Sequence, residues 1–347
     1  MSTEPQNLDI AIVGQGIAGT LLGYFLEEAG MKVLIIDHHH QGAASMVAAG
    51  IVNPITGKKF VKSWRIDDLL PAAKSIYSDI GTKMGIKSYT DANVIFALET
   101  IEDENNFLSR SEDELYSKYF SKETDFSQMD GIISKPLQYG EIQHSFHVHL
   151  KDILTTFREY WEKKNAYLDE FMNYSDLKIS QDGYKYKAYH FNRIVFCEGY
   201  LAKDNPFFDK LHMQPAKGEV LLIKIPEAGF KKMYKDKVFF VHQYDDIYWV
   251  GSGYEWNFLS EQPTKEAREV LIEEINRILK IPYEIIDQKA AVRPATANRR
   301  PLLRVHSEHP GMYLFNGLGT KGSSLAPFFA RQFARYIVKG NPEDLTY

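Results

Sequence analysis

The stretch that decides the fold is Leu8-Asp9-Ile10-Ala11-Ile12-Val13-Gly14-Gln15-Gly16-Ile17-Ala18-Gly19. Its first six residues predict a short buried strand. Apolar residues at helical spacing predict that a helix follows and buries one face: Ala18, Leu21, Leu22, Phe25, Leu26 and Ala29. Gly30 stands where a left-handed C-cap would end this helix, and residues 33–36 form a second apolar run that closes at Asp37. The order strand, helix, strand predicts a right-handed βαβ unit.

Residues 14–19 match the pattern G-x-G-x-x-G in the context that a dinucleotide site requires: a strand before it, a helix after it, and an acidic residue 18 positions past Gly19. Gly14 permits the tight turn, Gly16 lets a pyrophosphate approach the backbone, and Gly19 lets helix and strand pack closely. The free N–H groups and the helix dipole would face the phosphates, and Asp37 can accept hydrogen bonds from an adenosine ribose. The pattern favours a dinucleotide site over a strand-turn-helix without a ligand, but it does not separate FAD from a nicotinamide.

Composition limits the class of protein. The 347 residues suffice for about two domains, and 44% hydrophobic with 25% charged residues is ordinary for a globular protein. A formal net charge of −5 argues against nucleic-acid binding by broad electrostatic attraction. Cys197 is the single cysteine, which excludes an internal disulfide and a cysteine-based metal cluster. The polar N-terminus and the lack of a long apolar stretch lead us to expect a soluble, cytoplasmic protein with no membrane partner.

Further along the chain, apolar periodicity predicts helices over 67–84, with an early break at Pro71, and over 150–164, 264–279 and 324–338. Residues 102–130 are polar and acidic, which indicates a helix plus an exposed loop. Runs rich in β-branched and aromatic residues predict strands at 93–98, 191–196, 220–225, 237–241, 247–250 and 312–315. The three strands within 220–250 indicate an antiparallel sheet that is distinct from the α/β portion.

Four segments between Ile10 and Ala334 carry a family resemblance. They are the fingerprint, the small-residue stretch 42–51, the strand Arg193-Ile194-Val195-Phe196-Cys197-Glu198-Gly199, and a C-terminal set made of Val292-Arg293-Pro294-Ala295-Thr296, Arg300-Pro301 and Gly317-Leu318-Gly319-Thr320-Lys321-Gly322 running into Leu325-Ala326-Pro327. In order and spacing they resemble the D-amino-acid oxidase superfamily, the glycine oxidase and sarcosine oxidase type of FAD-dependent oxidoreductase. That family ends the third segment with Ala-Thr-Gly, from which Cys197 and Glu198 depart.

The resemblance implies an α/β fold in which a Rossmann-type FAD-binding domain carries an inserted antiparallel-sheet (α+β) substrate domain. We expect the discontinuous FAD-binding domain to comprise residues 1–85, 140–212 and 290–347. The substrate domain is expected to comprise residues 86–139 and 213–289.

The resemblance also implies which residues contact FAD. They are Gly14, Gly16, Ile17, Ala18, Gly19, Asp37, His38, Ala44, Ser45, Ala49, Gly50, Ile51, Tyr174, Gly199, Gly317, Leu318, Gly319, Thr320, Lys321, Gly322 and Ser323. Tyr174 stands where the family usually has a valine whose backbone meets the adenine. The turn at 317–323 would approach the pyrimidine side of the flavin, where N–H donors and Lys321 would stabilise negative charge near N1 and O2. Family members with covalent flavin use a cysteine in the C-terminal half of the site, and Cys197 lies on another strand, so we expect non-covalent FAD.

The chemistry implied by the resemblance is oxidation of a small amine or amino acid by hydride transfer to flavin N5, which needs no strong protein base if the amine arrives neutral. Arg293 is the expected substrate residue, because a guanidinium matches a carboxylate bidentately; a structural ion pair or a backbone contact is the alternative. Lys321 is the second candidate, for the flavin or for an anionic substrate group. Arg299 and Arg300 are expected to hold their loop.

Other conspicuous residues are expected to be structural. Tyr244, Tyr248 and Tyr254 lie on or beside the inserted sheet, by resemblance the roof over the flavin, but most of the 21 tyrosines must be packing residues. The run His38-His39-His40 leaves a strand in different directions, and no third ligand is evident near His147 and His149. No metal site is therefore predicted.

Three alternatives stay open. Residues 50–54 and the turn at 317–322 also resemble the oxidase half of a bacterial enzyme that processes carboxymethylaminomethyl-uridine in tRNA, where Arg293 would keep its role; the acidic net charge and the absence of a fused methyltransferase domain count against it. A nicotinamide-dependent dehydrogenase is disfavoured by the C-terminal return to the nucleotide domain, which suits the extended reach of FAD. A flavoprotein without catalysis is the third. The sequence does not define the substrate, the electron acceptor (oxygen or another), a catalytic base or the oligomeric state.

Overall fold

The computed structural model describes residues 6–39 and 42–345. Their α-helices are Ile17–Glu28 (α1), Ala44–Val47 (α2), Ile66–Met84 (α3), Ile101–Ser111 (α4), Leu150–Lys163 (α5), Lys265–Ile278 (α6) and Gly322–Lys339 (α7). Their strands are Gln6–Val13 (β1), Val33–Asp37 (β2), Ile51–Val52 (β3), Ile55–Thr56 (β4), Val61–Lys62 (β5), Tyr89–Asp91 (β6), Val94–Leu98 (β7), Gln138–Ile142 (β8), Phe146–Val148 (β9), Tyr167–Asp169 (β10), Lys178–Ser180 (β11), Gly183–Tyr186 (β12), Tyr189–Phe196 (β13), Ala216–Lys224 (β14), Met233–Lys235 (β15), Phe239–Tyr244 (β16), Ile247–Gly251 (β17), Glu284–Arg293 (β18), Leu302–Val305 (β19) and Met312–Asn316 (β20).

The βαβ unit predicted from the opening stretch forms the centre of an eight-stranded sheet. The strand order is β10-β2-β1-β13-β12-β11, with β20 also paired to β13 and β19 paired to β20. Strands β10, β2, β1, β13 and β20 run parallel; β1 pairs Ile10 with Val33 of β2 and Val13 with Phe196 of β13. The carboxyl ends of β1, β2 and β13 therefore meet at one edge, which is where open α/β sheets place their ligands.

Both faces of this sheet are covered, which explains its continuous apolar strands. One face packs against α1, α3, α5 and α7 through buried side chains that include Ile12, Leu21, Tyr77, Phe157 and Phe333. The opposite face packs against the segment that follows β13, through buried side chains that include Leu34, Phe196, Ala202, Phe208 and Leu211. None of the helices that the structure describes is both long and apolar enough to cross a membrane.

A second sheet of seven strands has the order β18-β14-β17-β16-β15-β7-β8. It is antiparallel as predicted except between β15 and β7, which pair in parallel through Tyr234 and Ile95. On one face, the buried Leu271 and Ile275 of α6 pack against the sheet. The other face turns toward the first sheet and carries, among others, Phe96, Val220, Trp249 and Ala291.

Several elements differ from the sequence prediction. Helix α3 runs through Pro71 without the predicted break, because its buried residues Leu69, Ala73 and Ile76 pack into the core and offset the one hydrogen bond that proline removes. Helix α7 begins at Gly322, before the predicted start at residue 324. Strand β18 was not predicted, because its first half is polar and largely exposed and therefore lacks an apolar run.

The predicted substrate segments, 86–139 and 213–289, contain strands β7 and β14 to β17 of the second sheet. Strands β8 and β18 cross the predicted limits at residues 140 and 290. The division into two domains stays a prediction, and two of its limits fall within continuous strands.

Candidate functional site

A cavity of about 620 Å³ lies between the carboxyl edge of the first sheet and the inner face of the second. This volume is within the range of pockets that hold small ligands and cofactors. Most residues predicted from the sequence line it: Gly14, Gly16, Ile17, Ala18, Asp37, His38, Ala44, Ser45, Ala49, Gly50, Ile51, Tyr174, Gly199, Arg293, Leu318, Gly319, Thr320, Lys321, Gly322 and Ser323. Gly19 and Gly317 are not among the lining residues.

The fingerprint glycines have steric reasons for their positions. Gly14 has φ +97°, and a Cβ there would lie 2.4 Å from the carbonyl oxygen of Cys197. A Cβ on Gly19 would lie 1.9 Å from the carbonyl oxygen of Gly14. Both distances are far below van der Waals contact, so only glycine permits this approach of strand, turn and helix. Gly19 thus allows α1 to pack closely against the turn, although it does not itself line the cavity.

The first turn of α1 opens onto the cavity. Gly16 is its N-cap and has no side chain to satisfy the free N–H groups; Ile17 donates its N–H to Ser45 Oγ at 3.1 Å. A Cβ built on Gly16 would meet only that oxygen, at 3.4 Å, so the space before the N-cap is otherwise open. An open cradle of N–H groups at the positive end of a helix dipole fits the diphosphate of a dinucleotide.

Asp37 stands at the carboxyl end of β2, beside this cradle. Its Oδ1 accepts the Gln15 N–H at 2.9 Å. Its Oδ2 lies 3.3 Å from the Tyr167 hydroxyl and 3.8 Å from a guanidinium nitrogen of the buried Arg158. Sequence reasoning missed Tyr167 and Arg158, which are distant in the chain and hold the carboxylate in place. A carboxylate has about four acceptor positions, so Asp37 can still accept hydrogen bonds from a ribose.

A half-buried polar cluster lies at the Tyr174 end of the cavity. Tyr174 donates its hydroxyl to Glu198 Oε1 at 2.5 Å, and Asn205 donates Nδ2 to Oε2 at 2.8 Å. Burial raises the pKa of Glu198 to about 7, while these two hydrogen bonds act in the opposite direction. The adjacent Cys197 also lines the cavity, but burial raises the pKa of its thiol, which makes it a poor nucleophile. Glu198 had appeared in the sequence only as a departure from the family pattern.

The small-residue wall formed by residues 43–51 is fixed from both sides. Trp249 of β17 donates its Nε1–H to the carbonyl oxygen of Val47 at 2.8 Å, which ties the wall to the second sheet. Strand β3 pairs Ile51 with His147 of β9. No local sequence signal identifies Trp249, because its partner lies 202 residues away.

Arg293 extends from the end of β18 into the cavity. One terminal nitrogen donates to Ser252 Oγ at 2.5 Å and to the carbonyl oxygen of Gly253 at 3.1 Å, and the other donates to the carbonyl oxygen of Lys217 at 3.4 Å. Burial lowers the pKa of the Arg293 guanidinium. No acidic side chain among the residues that the structure describes forms an ion pair with it. Of the two alternatives to a substrate role, the ion pair is absent among the described residues and the backbone contact is present. The backbone contacts hold the guanidinium without a counter-charge.

The guanidinium lies between a glycine and an aromatic ring. A Cβ on Gly218 would lie 2.0 Å from a terminal nitrogen of Arg293, so the absence of a side chain at Gly218 creates the space for this group. On another side the guanidinium carbon lies 4.4 Å from the centroid of the Tyr254 ring, a cation–π distance. Sequence reasoning left Tyr254 out of the catalytic set and did not single out Gly218 or Ser252, because these contacts depend on strand register.

Lys321 lies where the chain passes from β20 to α7. Its Nζ is 3.2 Å from Ser63 Oγ, and burial lowers the pKa of Lys321 to about 8. Within residues 6–39 and 42–345 no carboxylate offsets this charge. Arg293 and Lys321 are therefore cationic groups of the cavity that can hold anionic groups of a ligand.

Other residues singled out in the sequence lie outside the cavity lining. Tyr248 is fully buried, and Tyr244 is 63% exposed at the surface. Arg299 and Arg300 also lie outside the lining, as expected for residues that hold a loop.

Four of the five histidines singled out in the sequence lie within the described residues, and these four do not converge on an ion. His39 lies 2.7 Å from an arginine nitrogen and His38 lies 3.9 Å from an aspartate oxygen, while His40 is outside the described residues. The rings of His147 and His149 are 4.6 Å apart. In the part of the chain that the structure describes, no group of three or more His, Cys, Asp or Glu side chains could hold a metal.

Comparison with known proteins adds a family assignment to this geometry. The model of the family described as FAD dependent oxidoreductase (DAO) matches residues 9–336. Among solved structures, glycine oxidase from Bacillus cereus superposes with a TM-score of 0.80 at 18% identity, covering 96% of this chain and 97% of that one. Iminodiacetate oxidase from Chelativorans sp. BNC1 has a TM-score of 0.76 at 18% identity, with 96% of each chain covered. L-proline dehydrogenase from P. horikoshii has a TM-score of 0.76 at 16% identity, covering 98% of this chain and 95% of that one. These likenesses confirm the predicted fold class.

Proposed function

The chain belongs to the FAD dependent oxidoreductase family, and from this premise we propose that it oxidises a small amine or amino acid that carries a carboxylate. FAD is its cofactor, bound without a covalent link under this proposal, since the only cysteine is buried and its thiol pKa is raised. Membership of an FAD-dependent family also favours FAD over the nicotinamide alternative.

This proposal depends on one observation, the lack of a carboxylate partner for the Arg293 guanidinium among the described residues. Its guanidinium lines the cavity, is held by backbone and hydroxyl oxygens, and has no carboxylate partner among the described residues. A guanidinium has five N–H donors, and three donor contacts are used here, so two donors are left for a ligand. A half-buried cation without a counter-charge is unfavourable, and a substrate carboxylate would offset that cost.

Under this proposal, different residues of the cavity bind the coenzyme and the substrate. Bound FAD supplies a hydride acceptor at its flavin N5. The N–H groups at the start of α1 bind the diphosphate, and Asp37 binds the adenosine ribose. Lys321 supports negative charge at the flavin or on the substrate, and Arg293 orients the substrate through its carboxylate. Trp249 and the small-residue wall exclude water between the two sheets.

An anaerobic screen tests this function directly. FAD-loaded protein is mixed with glycine, sarcosine, proline and D-amino acids, each paired with the amine that lacks the carboxylate, and loss of flavin colour is followed. We expect at least one carboxylated amine to bleach the flavin much faster than its decarboxylated partner. If no amine bleaches a flavin that dithionite still reduces, the proposed oxidation is wrong. If the decarboxylated partners react equally well, the role of Arg293 is wrong.

The tRNA-modifying alternative keeps the same chemistry and differs in the size of the substrate. A gel-shift with bulk tRNA at moderate salt separates the two. We expect no shift, because phosphate binding requires concentrated positive charge and the chain has a net charge of −5. A shift that competes with amine-dependent bleaching would favour tRNA as the substrate.

A further inference from the structure

The cavity has a cation that the proposed carboxylate anchor does not use. Lys235, the last residue of β15, lines the cavity. Its Nζ donates to the carbonyl oxygen of Lys237 at 2.9 Å and lies 4.9 Å from the centroid of the Phe239 ring. An ammonium has three N–H donors. Only one of them meets a hydrogen-bond acceptor among the residues that the structure describes, so two are free for a ligand.

No nearby carboxylate neutralises this ammonium. Asp236 is adjacent in sequence, but its carboxylate pairs with Arg277. Burial lowers the pKa of Lys235 to about 8, and Asp236 acts in the opposite direction. The cavity residues Phe96 and Phe239, which pair with Lys235 across β7 and β16, are apolar. The ammonium is thus desolvated among aromatic side chains and would be stabilised by an anion that entered the cavity.

The sheet register relates Lys235 to the Arg293 anchor. Lys235 pairs with Phe239, and Phe239 pairs with Gly251, so the three residues form one row across neighbouring strands. The next residue, Ser252, accepts a hydrogen bond from the Arg293 guanidinium. Two strand spacings separate Lys235 from Gly251, which is about 10 Å. Lys235 therefore lies at one end of this three-residue row, the Arg293 guanidinium lies beside the other end, and both residues line the same cavity.

We propose that the substrate is an amino acid or N-substituted glycine with a second carboxylate at its distal end, and that Lys235 binds this group. The inference rests on the proposed function, because Arg293 must hold the first carboxylate. The aromatic residues between the two cations would contact the aliphatic part of the substrate. Lys235 then sets the length and charge of the substrates that the enzyme accepts.

Ligands that cannot react test this proposal without turnover. FAD-loaded protein is titrated with glutarate, adipate, pimelate and suberate, and with the monocarboxylate of the same chain length in each case, while the flavin absorption spectrum is followed. We expect one or two chain lengths at which the dicarboxylate binds about 10- to 100-fold more tightly than its monocarboxylate partner, the range of a charge-assisted contact.

Substitutions test whether Lys235 causes the preference for the dicarboxylate. Lys235→Gln should abolish the preference for the dicarboxylate, and Lys235→Arg should retain part of it. Lys237→Gln is the matched control: this lysine lies on the same hairpin and also lines the cavity, but its ammonium already pairs with Glu274 at 2.7 Å, so the preference should stay. FAD content and the thermal midpoint verify that each variant is folded.

The outcomes separate this inference from the proposed function. If no chain length gives a dicarboxylate preference in the unchanged protein, or if Lys235→Gln keeps the preference, the role of Lys235 is wrong. In either case monocarboxylates that perturb the flavin and lose affinity in Arg293→Met would leave the proposed function intact. If no carboxylate perturbs the flavin and Arg293→Met changes nothing, the proposed function and the inference both fail.

Discussion

The two walls of the cavity differ in composition and in charge. The nucleotide wall includes glycines, backbone N–H groups and the carboxylate of Asp37, whose oxygens already have protein partners. The opposite wall is a sheet face that carries Arg293 and Lys235 without counter-charges, and Lys321 stands in the turn between the two walls. The first wall holds its polar groups in place before a ligand arrives, and it presents the free N–H groups at the start of α1 to the ligand. The second wall carries positive charges that have no counter-charge, and it selects ligands by their negative charge.

The largest expected effect comes from the nucleotide wall. Gly19→Ala would place a Cβ 1.9 Å from the Gly14 carbonyl oxygen, which forces α1 away from β1. We expect a loss of about 3 kcal/mol of unfolding free energy and no FAD binding. The matched control is Gly16→Ala, whose Cβ meets its nearest neighbour at 3.4 Å. It should keep apoprotein stability and lose FAD affinity only. Chemical denaturation and FAD titration measure both; equal stability of the two variants would contradict the distinction.

Arg293→Met tests whether the wall formed by the second sheet binds the substrate carboxylate. Removing one partner of a buried charged contact typically costs several kcal/mol, so kcat/KM for the best carboxylated amine should fall at least about 100-fold. The FAD dissociation constant should not change, since the guanidinium contacts the second sheet. Arg304→Met, an exposed arginine on β19, is the control and should match the unchanged protein. Unaltered kinetics in Arg293→Met would refute the anchor.

Asp37→Ala should weaken the binding of FAD and leave the binding of substrate unchanged, which is the opposite of the result expected for Arg293→Met. Loss of a charge-assisted hydrogen bond to the ribose should raise the FAD dissociation constant about tenfold. Once saturated with FAD, the variant should keep the KM for substrate. Asp169→Ala, at the exposed end of β10, controls for the loss of an acidic side chain at this edge. Equal flavin affinity in Asp37→Ala and in the unchanged protein would remove the ribose role.

The last prediction concerns Lys321 and the stability of the apoprotein rather than the binding of a ligand. Its pKa is about 8 in the folded protein against an ordinary value of 10.5. Between these values the unfolded chain binds more protons, so stability rises with pH across that window, and below about pH 8 the cost of burying the charge is complete. Lys321→Met should therefore stabilise the apoprotein at pH 7 by up to about 3 kcal/mol, the free energy that corresponds to the full pKa shift. The difference should shrink toward zero by pH 10.5. Denaturation of both proteins at pH 7 and pH 10 measures it, and a variant no more stable at pH 7 would show that Lys321 is solvated.

The difference between the walls also explains what the sequence could predict. Residues 8–37 identify the nucleotide wall because each role depends on neighbours within one βαβ unit. Arg293 and Lys321 were found through the family resemblance, which preserves order and spacing. The contacts of Gly218, Ser252 and Tyr254 with Arg293 were not predictable, because they join separate strands of the sheet. Strand β18 itself was hidden, since half of its residues are polar and exposed.

Long-range partners on the nucleotide wall were missed for the same reason. Arg158 approaches Asp37 from a helix 121 positions along the chain, and Trp249 reaches Val47 from the second sheet. Their local patterns are those of an ordinary amphipathic helix and an ordinary buried strand. Only the packing of complete elements shows which of their side chains reach the cavity.

The most direct test is a crystal structure of the protein loaded with FAD and an unreactive carboxylate ligand. We predict that the diphosphate accepts hydrogen bonds from the N–H groups at the start of α1, and that the ligand carboxylate contacts the Arg293 guanidinium, with the flavin between the two walls. A diphosphate bound away from α1, or a carboxylate that leaves Arg293 without an anionic partner, would contradict the assignment of one wall to the coenzyme and the other to the substrate.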